Sequence, residues 1–165
     1  MTNRPLFGKH RGTVVNNIDP MQIGRVQVSV PDVTGLAQDI WAMPCVPVAG
    51  VNSGIYVVPA NGSAVWVEFE QGNRDRAIWV GGFWRSAADV PAHLGAASVV
   101  VRTTSQNELV ISDEHGPNGG IRIRTATGAM ISVSDAGIVI TNGRGAVISM
   151  SGPTVDVNSG AFTVT

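Results

Sequence analysis

Residues 121–165 decide the fold, and they read IRIRTATGAMISVSDAGIVITNGRGAVISMSGPTVDVNSGAFTVT. Apolar, mostly β-branched residues recur every eight positions, and glycine or other small residues separate the runs. Short β-branched runs between small-residue turns predict a series of short strands. The first column of this octad contains Ile123, Ile131, Val139, Val147 and Val155, and the column two places on contains Val133 and Val157.

A repeat of eight residues is too short to bury its own apolar stripe, because an isolated pair of short strands is only marginally stable. It is also too short for a single-chain β-helix, whose coils need about twenty residues or more. Three chains wound together, with strands stacked about 4.8 Å apart, would satisfy the backbone hydrogen bonds and bury the stripe. We therefore predict that residues 99–165 form an intertwined triple-stranded β-helix in a homotrimer.

The octad assigns side chains to the inside and the outside of this rod. Arg124 and Asp156 share the column that would face outward, together with Ile140 and Ile148. A charge placed at Val139 should abolish trimer formation, because the carboxylate would be buried on the axis. The residues predicted to line the trimer axis are Ile123, Ile131, Val133, Val139, Val147, Val155 and Val157.

The low charged fraction of the chain suggests that much of its surface is buried against other chains, and its net charge does not favour an anionic partner. Charged residues make up 14% of the chain, against roughly 25% in an average soluble domain. Such a small charged fraction suggests that much of the surface is covered by other chains. The formal net charge of −1 gives no electrostatic reason to expect nucleic acid or an anionic membrane surface as a partner.

The first half of the chain contains five candidate strands separated by turn residues. They lie at residues 10–18, 25–30, 40–46, 64–70 and 77–80, and several alternate polar and apolar residues. Five short strands in fewer than eighty residues predict an oligonucleotide/oligosaccharide-binding (OB) barrel over residues 8–85. Residues 86–98 are rich in alanine and are predicted to form a linker to the rod.

Five motifs follow one another in this half: residues 12–20 (GTVVNNIDP), 23–28 (IGRVQV), 41–45 (WAMPC), 59–70 (PANGSAVWVEFE) and 77–84 (AIWVGGFW). In this order they resemble the OB domain of phage baseplate assembly and central spike proteins. That family includes the spikes of contractile phage tails, the VgrG proteins of type VI secretion and the spikes of extracellular contractile injection systems. With the repeat that follows, the resemblance covers nearly the whole chain.

The resemblance implies a homotrimeric, non-enzymatic structural spike of a virion tail baseplate or an extracellular injection particle. Its OB barrels would sit on the tail hub, and its rod would transiently meet and pierce the target outer membrane when the sheath contracts. Only a short linker stands where some spikes carry a lysozyme-like insertion, and no VgrG-type hub domain precedes the barrel, so a separate hub protein is implied. Residues 1–11 have no apolar core of a signal peptide, so assembly in the bacterial cytoplasm is expected.

Some spikes of this family end in a His-x-His pair that binds iron on the axis, but the three histidines here are far apart in sequence. We therefore expect no metal and no other cofactor. A rod that ends in a strand would leave open β edges. We expect a PAAR-type tip protein to cover the end formed by Phe162, Thr163, Val164 and Thr165.

The aromatic residues of the first half allow two interpretations. They could stack the bases of single-stranded nucleic acid, as in other OB barrels, but no run of basic residues accompanies them in the sequence. Barrel core or hub contact is the favoured interpretation for Trp66, Phe69, Trp79, Phe83 and Trp84. An OB-type nucleic-acid or glycan-binding module with a β-repeat oligomerisation tail remains the alternative, and a polysaccharide-cleaving β-helix enzyme is a second one.

The remaining candidates favour structural roles over catalysis. Glu68 and Glu70 could form a glycosidase acid pair, but strand spacing places them side by side on a solvated face. His115 could bind a metal with its acidic neighbours, yet a polar loop is the simpler interpretation. Cys45 is most simply a buried small apolar residue. No catalytic residue is assigned, because the sequence has no Ser-His-Asp or Cys-His order and no phosphate-binding glycine loop.

Overall fold

The computed structural model describes residues 5–35, 38–91 and 97–164. The chain divides into two compact units, Met1–Asp89 and Val90–Thr165. Nearly all of the regular secondary structure in both is strand, which confirms the all-β prediction. The helices are short: α1 (Pro31–Thr34) and two 3-10 turns at Glu70–Gly72 and Ala87–Asp89. None of the helices in the described ranges is long enough to cross a membrane.

The first unit is a closed five-stranded barrel. Its strands are β1 (His10–Asn16), β2 (Val26–Ser29), β3 (Asp39–Pro44), β6 (Ala64–Phe69) and β7 (Ala77–Gly82), and a small hairpin of β4 (Ala49–Gly50) and β5 (Ser53–Gly54) leaves the barrel between β3 and β6. The order around the barrel is β1-β2-β3-β7-β6, closed by β1 against β6. All pairs are antiparallel except β3 with β7. The five predicted strands and the barrel are therefore confirmed.

The barrel closes around a core of valines, which alternation along each strand directs inward. Val14, Val28, Val65 and Val67 are at most 1% exposed. Gly12 in β1 faces this core so closely that an added Cβ would lie 2.9 Å from a methyl carbon of Val67. Phe69 and Trp79 complete the same core.

The loop between β1 and β2 is held by one carboxylate. Asp19 accepts hydrogen bonds from the backbone N–H groups of Met21, Ile23 and Arg25 and from the Arg25 guanidinium. The Arg25 side chain also lies over the Trp41 ring, 5.0 Å from its centroid. The side-chain hydrogen bond from Arg25, assisted by the backbone N–H groups, holds the pKa of Asp19 far below its usual value.

The second unit is an eight-stranded antiparallel sheet in which each strand pairs with the next one along the chain. The strands are β8 (Ser98–Arg102), β9 (Glu108–Ser112), β10 (Gly120–Arg124), β11 (Met130–Ser134), β12 (Gly137–Thr141), β13 (Val147–Ser151), β14 (Thr154–Val157) and β15 (Phe162–Val164). The predicted strand-rich C-terminal region is thus confirmed, and it begins at β8. The winding of three chains around one another stays a prediction.

The sheet does not follow the octad throughout. The first apolar residue on its more exposed face stands at positions 99, 109, 121, 131, 138, 148, 155 and 162 in successive strands. Successive strands are therefore offset by 10 or 12 residues as far as β11 and then by 7, 10, 7 and 7. Because side chains alternate between the faces of a strand, each odd step moves the apolar residues from odd to even positions or back.

Candidate trimerisation surface

One face of the second sheet consists entirely of apolar side chains. Residues paired directly across an antiparallel ladder lie on the same face, and the register joins two residues from every strand into two continuous rows. We call this surface the apolar face. It comprises Val99, Val101, Leu109, Ile111, Ile121, Ile123, Ile131, Val133, Ile138, Ile140, Ile148, Met150, Val155, Val157, Phe162 and Val164.

The apolar face is open to solvent in the single chain. Thirteen of its sixteen side chains are exposed, with exposed fractions from 36% at Leu109 to 63% at Phe162. A monomeric protein rarely exposes a contiguous apolar patch larger than a few hundred Å2. A face that runs across eight strands without one polar side chain is therefore built to pack against protein.

The register corrects two of the residues predicted to line the axis. Val139 pairs with Ser132 and Ser149, so it lies on the opposite face of the sheet, and Val147 lies there too, opposite Thr141. The octad fails here because the 7-residue step from β11 to β12 shifts the apolar residues to even positions. The other five predicted residues lie on the apolar face: Ile123, Ile131, Val133, Val155 and Val157.

The same shift reverses the facing expected for two isoleucines. Ile140 and Ile148 pair with each other on the apolar face, although the octad placed both outward. Arg124 and Asp156 lie on the opposite face from the two isoleucines, because they pair with Glu108 and Ser149 respectively. We call this opposite surface the mixed face. Its central row is Val100, Val110, Arg122, Ser132, Val139, Ser149 and Asp156.

A buried carboxylate ties the first three strands of the sheet together on the mixed face. The Glu108 side chain is only 1% exposed, and its Oε2 accepts hydrogen bonds from the Arg102 guanidinium. Its Oε1 lies 2.9 Å from Nη2 of Arg124 on the other neighbouring strand. One carboxylate on β9 thus links β8 to β10, which favours the register seen here over a slipped one.

The aromatic residues of the barrel divide into core and surface. Phe69 and Trp79 are 5% and 6% exposed and belong to the core, and Trp79 donates its indole N–H to the carbonyl of Gly24. Trp66 and Phe83 are half-buried on the outside, with their ring centroids 4.6 Å apart. Trp84 is 63% exposed beside them. Of the five aromatic residues predicted to form the barrel core or to contact a hub, two thus lie in the core and three lie on the surface.

Two arginines that are far apart in the sequence both lie beside the surface aromatic residues. Arg11 pairs across the β1–β6 ladder with Trp66, and its guanidinium carbon lies 5.4 Å from the Trp66 ring centroid and 5.1 Å from that of Phe83. Arg85 lines the same depression and donates to the Gly62 carbonyl and the Thr13 hydroxyl. Arg85 follows Trp84 directly in the sequence, whereas only strand pairing brings Arg11 to Trp66.

A second barrel surface is apolar, and the sequence reasoning missed it. Val51 at the tip of the β4–β5 hairpin is 94% exposed, and Tyr56 is 72% exposed. In the loop held by Asp19, Ile18 and Met21 are 77% and 61% exposed. Between the hairpin and that loop lies a groove of about 470 Å3 lined mostly by apolar residues. The only sequence signal was the concentration of apolar residues in segments that did not read as strands.

The comparisons with known proteins account for both units. Residues 10–84 match the type VI secretion system/phage-baseplate injector OB domain, and residues 98–163 match the phage baseplate V C-terminal trimerisation domain. The chain belongs to the phage baseplate V family. No curated protein matches the chain in sequence.

Family membership gives each unit a role. The trimerisation match covers almost the same residues as the apolar face, so the surface that most needs a partner lies in the segment that supports a homotrimer. Membership in the phage baseplate V family also supports a structural role in a baseplate or spike. Membership in a phage baseplate family implies a location in the virion baseplate.

The predicted tip residues lie only partly within the described structure. Phe162 and Val164 in β15 are 63% and 51% exposed and belong to the apolar face. Thr163 pairs through its backbone with Asp156, and Thr165 lies outside the described residues. In the described ranges, β15 pairs with β14 and with no other strand of this chain.

The other candidates identified in the sequence have local partners. Glu68 pairs with Lys9, whereas Glu70 lies beyond the end of β6 and pairs with Arg76 at 3.6 Å, so the two glutamates do not share a strand face. His115 lies 3.1 Å from Asp135 in a neighbouring turn. The described residues contain no group of three or more side chains able to hold a metal ion.

Cys45 departs from its prediction as a buried residue. It follows β3 immediately, and its side chain is exposed. Along β3 Ala42 is buried and Met43 is exposed, and the same alternation continued by two residues turns Cys45 outward.

Proposed function

We propose that the chain forms the homotrimeric central spike of a contractile phage tail or a related injection system. The observation that carries the proposal is the apolar face, exposed across eight strands in a segment that matches a trimerisation domain. Burial of this face among three chains makes a stiff, narrow rod. The work of such a spike is mechanical, and it requires no catalytic group, metal or cofactor.

In this proposal the rod concentrates the force of sheath contraction on a small area of the target outer membrane. The eight strands span about 34 Å if neighbouring strands lie about 4.8 Å apart. The barrels, residues 8–85, sit on a separate hub protein of the tail baseplate, and residues 86–98 link them to the rod. Assembly takes place in the bacterial cytoplasm before the particle is complete.

The barrel offers a surface suited to the hub. Tyr56 lines the groove and is exposed, and Ile18, Met21 and Val51 are exposed on the Asp19 loop and the hairpin. The Asp19 hydrogen bonds fix the shape of that loop. Exposed aromatic and aliphatic side chains on a rigid support are typical anchors of protein interfaces. Trp84, Trp66 and Phe83 provide a second candidate contact.

We also propose that a PAAR-type tip protein covers the far end of the rod. The support is the outer edge of β15, which no strand of this chain covers within the described residues, and the exposed Phe162 and Val164. Open strand edges with apolar side chains aggregate unless they are capped. A pull-down of the trimer with a candidate tip protein tests this, since deletion of residues 158–165 should abolish capture. Unchanged capture by the deletion variant would rule out this end as the tip site.

Sedimentation velocity tests the spike proposal itself. We expect a trimer that resists heat and detergent and that shows no affinity for single-stranded DNA. A stable, folded monomer would overturn the proposal.

A second function is favoured by one observation, the depression that holds Arg11 and Arg85 beside Trp66, Phe83 and Trp84. Arginine and aromatic rings together can stack and neutralise single-stranded nucleic acid. Binding of an oligonucleotide that weakens steeply with salt, and that is lost in Trp84→Ala, would favour this nucleic-acid-binding role. Binding of a glycan with an affinity that does not change with salt concentration would instead favour a glycan-binding role.

A further inference from the structure

We infer that the depression between Arg11 and Arg85 on the barrel is a carboxylate-binding site. Its ligand is a segment of a partner protein that presents one acidic side chain next to an apolar one. This assignment rests on the proposed attachment of the barrel to a baseplate protein, and it names the chemistry which that protein presents. We call the site the arginine depression; it has a volume of about 630 Å3, and its lining includes Arg11, Thr13, Trp66, Phe83, Trp84 and Arg85.

The two guanidinium groups of the arginine depression carry positive charges that no aspartate or glutamate of the chain neutralises. All twelve aspartates and glutamates lie in the described ranges. None of them has a carboxylate oxygen within 4.0 Å of a guanidinium nitrogen of Arg11 or Arg85. By contrast, Lys9, Arg25 and Arg76 on the same barrel each pair with a carboxylate. An anion brought by a partner would therefore meet two available positive charges.

The Arg85 side chain is held in position by neutral groups. Its Nη1 donates to the Gly62 carbonyl at 2.8 Å, and its Nη2 donates to the Thr13 hydroxyl at 2.7 Å. The Asp89 carboxylate, four residues further on, accepts instead from the backbone N–H groups of Arg85 and Ser86. The guanidinium is thus oriented while its charge stays available. An oriented donor loses less conformational entropy when it binds a ligand, which strengthens binding.

The Arg11 guanidinium lies against aromatic rings. Its central carbon is 5.4 Å from the Trp66 ring centroid and 5.1 Å from that of Phe83, and its N–H groups donate to no acceptor among the described residues. A guanidinium that stacks on rings keeps its N–H edge free, and this edge matches the two oxygens of a carboxylate. Trp84, which is 63% exposed, adds apolar surface that suits an apolar side chain next to that carboxylate.

The charges of the barrel favour a single carboxylate over a polyanion. Residues 1–89 contain seven lysines and arginines and seven aspartates and glutamates, so their formal net charge is zero. Single-stranded nucleic acid binds along a positively charged groove. Asp32, which is exposed and follows Pro31 at the wall of the depression, would repel a phosphate chain that continued past the site. A protein segment avoids this repulsion, because only one carboxylate needs to enter, and tryptophan and arginine are enriched among the residues that dominate protein interfaces.

Fluorescence anisotropy of labelled peptides tests the site in the full chain. The probe is a short fluorescein-labelled peptide of alternating glutamate and phenylalanine, and the same peptide with glutamine in place of glutamate is its control. Arg11→Gln is the main variant, because the Arg11 side chain makes no hydrogen bond within the described residues and its loss should not disturb folding. Arg85→Gln is the second variant. Arg74→Gln, at an exposed position in the turn between β6 and β7, is the matched control with the same loss of charge.

We expect the glutamate peptide to bind the unsubstituted chain and the glutamine peptide not to bind. Arg11→Gln and Arg85→Gln should each weaken binding of the glutamate peptide by about tenfold, as the loss of a hydrogen bond to a charged group predicts. Arg74→Gln should leave the affinity unchanged.

Equal binding of the two peptides, binding of neither, or an equal loss in Arg74→Gln would overturn the inference. Labelled oligothymidylate that binds more tightly than the glutamate peptide, and that is released by Arg11→Gln, would overturn it in favour of the nucleic-acid-binding role. A monomer in sedimentation of the unsubstituted chain would instead overturn the proposed spike without changing the peptide result, so the two failures are distinguishable.

Discussion

At the scale of single residues, two neighbours in β12 lie on opposite faces of the second sheet and so test which face is buried in the trimer. Ile140 lies on the apolar face and Val139 on the mixed face. Ile140→Asp should prevent trimer formation, because three carboxylates would be buried together near one axis. Val139→Asp, with the same change of charge one position earlier, should leave the trimer intact. Sedimentation velocity checks both.

The opposite result, a monomer for Val139→Asp and a trimer for Ile140→Asp, would restore the octad register. It would also show that the register of β12 differs in the trimer. The pair therefore tests the facing of the strand without depending on how stable the trimer is.

Asp19 predicts a dependence of barrel stability on pH. Its pKa is depressed in the folded chain by the Arg25 guanidinium and the backbone N–H groups, so the unfolded chain binds more protons between the two pKa values. Its contribution to the free energy of unfolding is therefore full above about pH 4 and is lost as the pH falls below that value. Asp19→Asn should destabilise the barrel at pH 7, and the difference from wild type should shrink towards about pH 2.

Urea unfolding followed by tryptophan fluorescence measures this, because all four tryptophans lie in the first unit. Asp32→Asn, at an exposed position in α1, controls for the loss of one negative charge. A wild-type advantage that stays constant from about pH 5 to about pH 2 would contradict the role given to Asp19.

At the scale of the element, the carboxylate of Glu108 holds three strands in register. Glu108→Gln removes the charge that Arg102 and Arg124 share and should lower the free energy of unfolding of the second unit by about 2 kcal/mol. Thermal unfolding followed by circular dichroism measures the loss. Glu114→Gln is the matched control, since the same change at an exposed position of the second unit should alter the free energy of unfolding by less than about 1 kcal/mol. Equal losses in the two variants would argue against a register role for Glu108.

The elements also show what the sequence could predict. The β-branched runs and small-residue turns predicted strands in the right places, because strand propensity and turn chemistry act over a few residues. The facing of Val139, Val147, Ile140 and Ile148 was not predictable from the octad. An odd number of residues between strands exchanges the two faces, and that number depends on how each turn closes, as the 7-residue step into β12 shows.

On the barrel surface, too, contacts between residues far apart in the sequence could not be predicted. Its five strands were predicted from alternation and from the resemblance of their motifs. The contact of Arg11 with Trp66 and Phe83 was not, because residues 55 or more positions apart meet there only through the β1–β6 pairing. The apolar residues of the β4–β5 hairpin likewise had no periodicity that could reveal them.

At the scale of the whole molecule, the two units should behave differently when separated. A fragment of residues 1–89 has its own buried core and should fold as a monomer. A fragment of residues 90–165 has few buried side chains outside the mixed face and should fold only as a trimer, with a melting temperature that rises with protein concentration. Sedimentation and circular dichroism of the two fragments check this. A folded monomer of the second fragment would show that the apolar face does not need its copies.

Because each strand of the second sheet carries its own pair of apolar residues on one face, a turn can gain or lose residues without changing which side chains share that face. An added hairpin lengthens the sheet by about 9.6 Å and returns the chain to the side from which it came. The number of hairpins then sets the length of the proposed rod. In the proposed spike, duplication or loss of a single hairpin would fit the rod to a thicker or thinner envelope without a change in any other part.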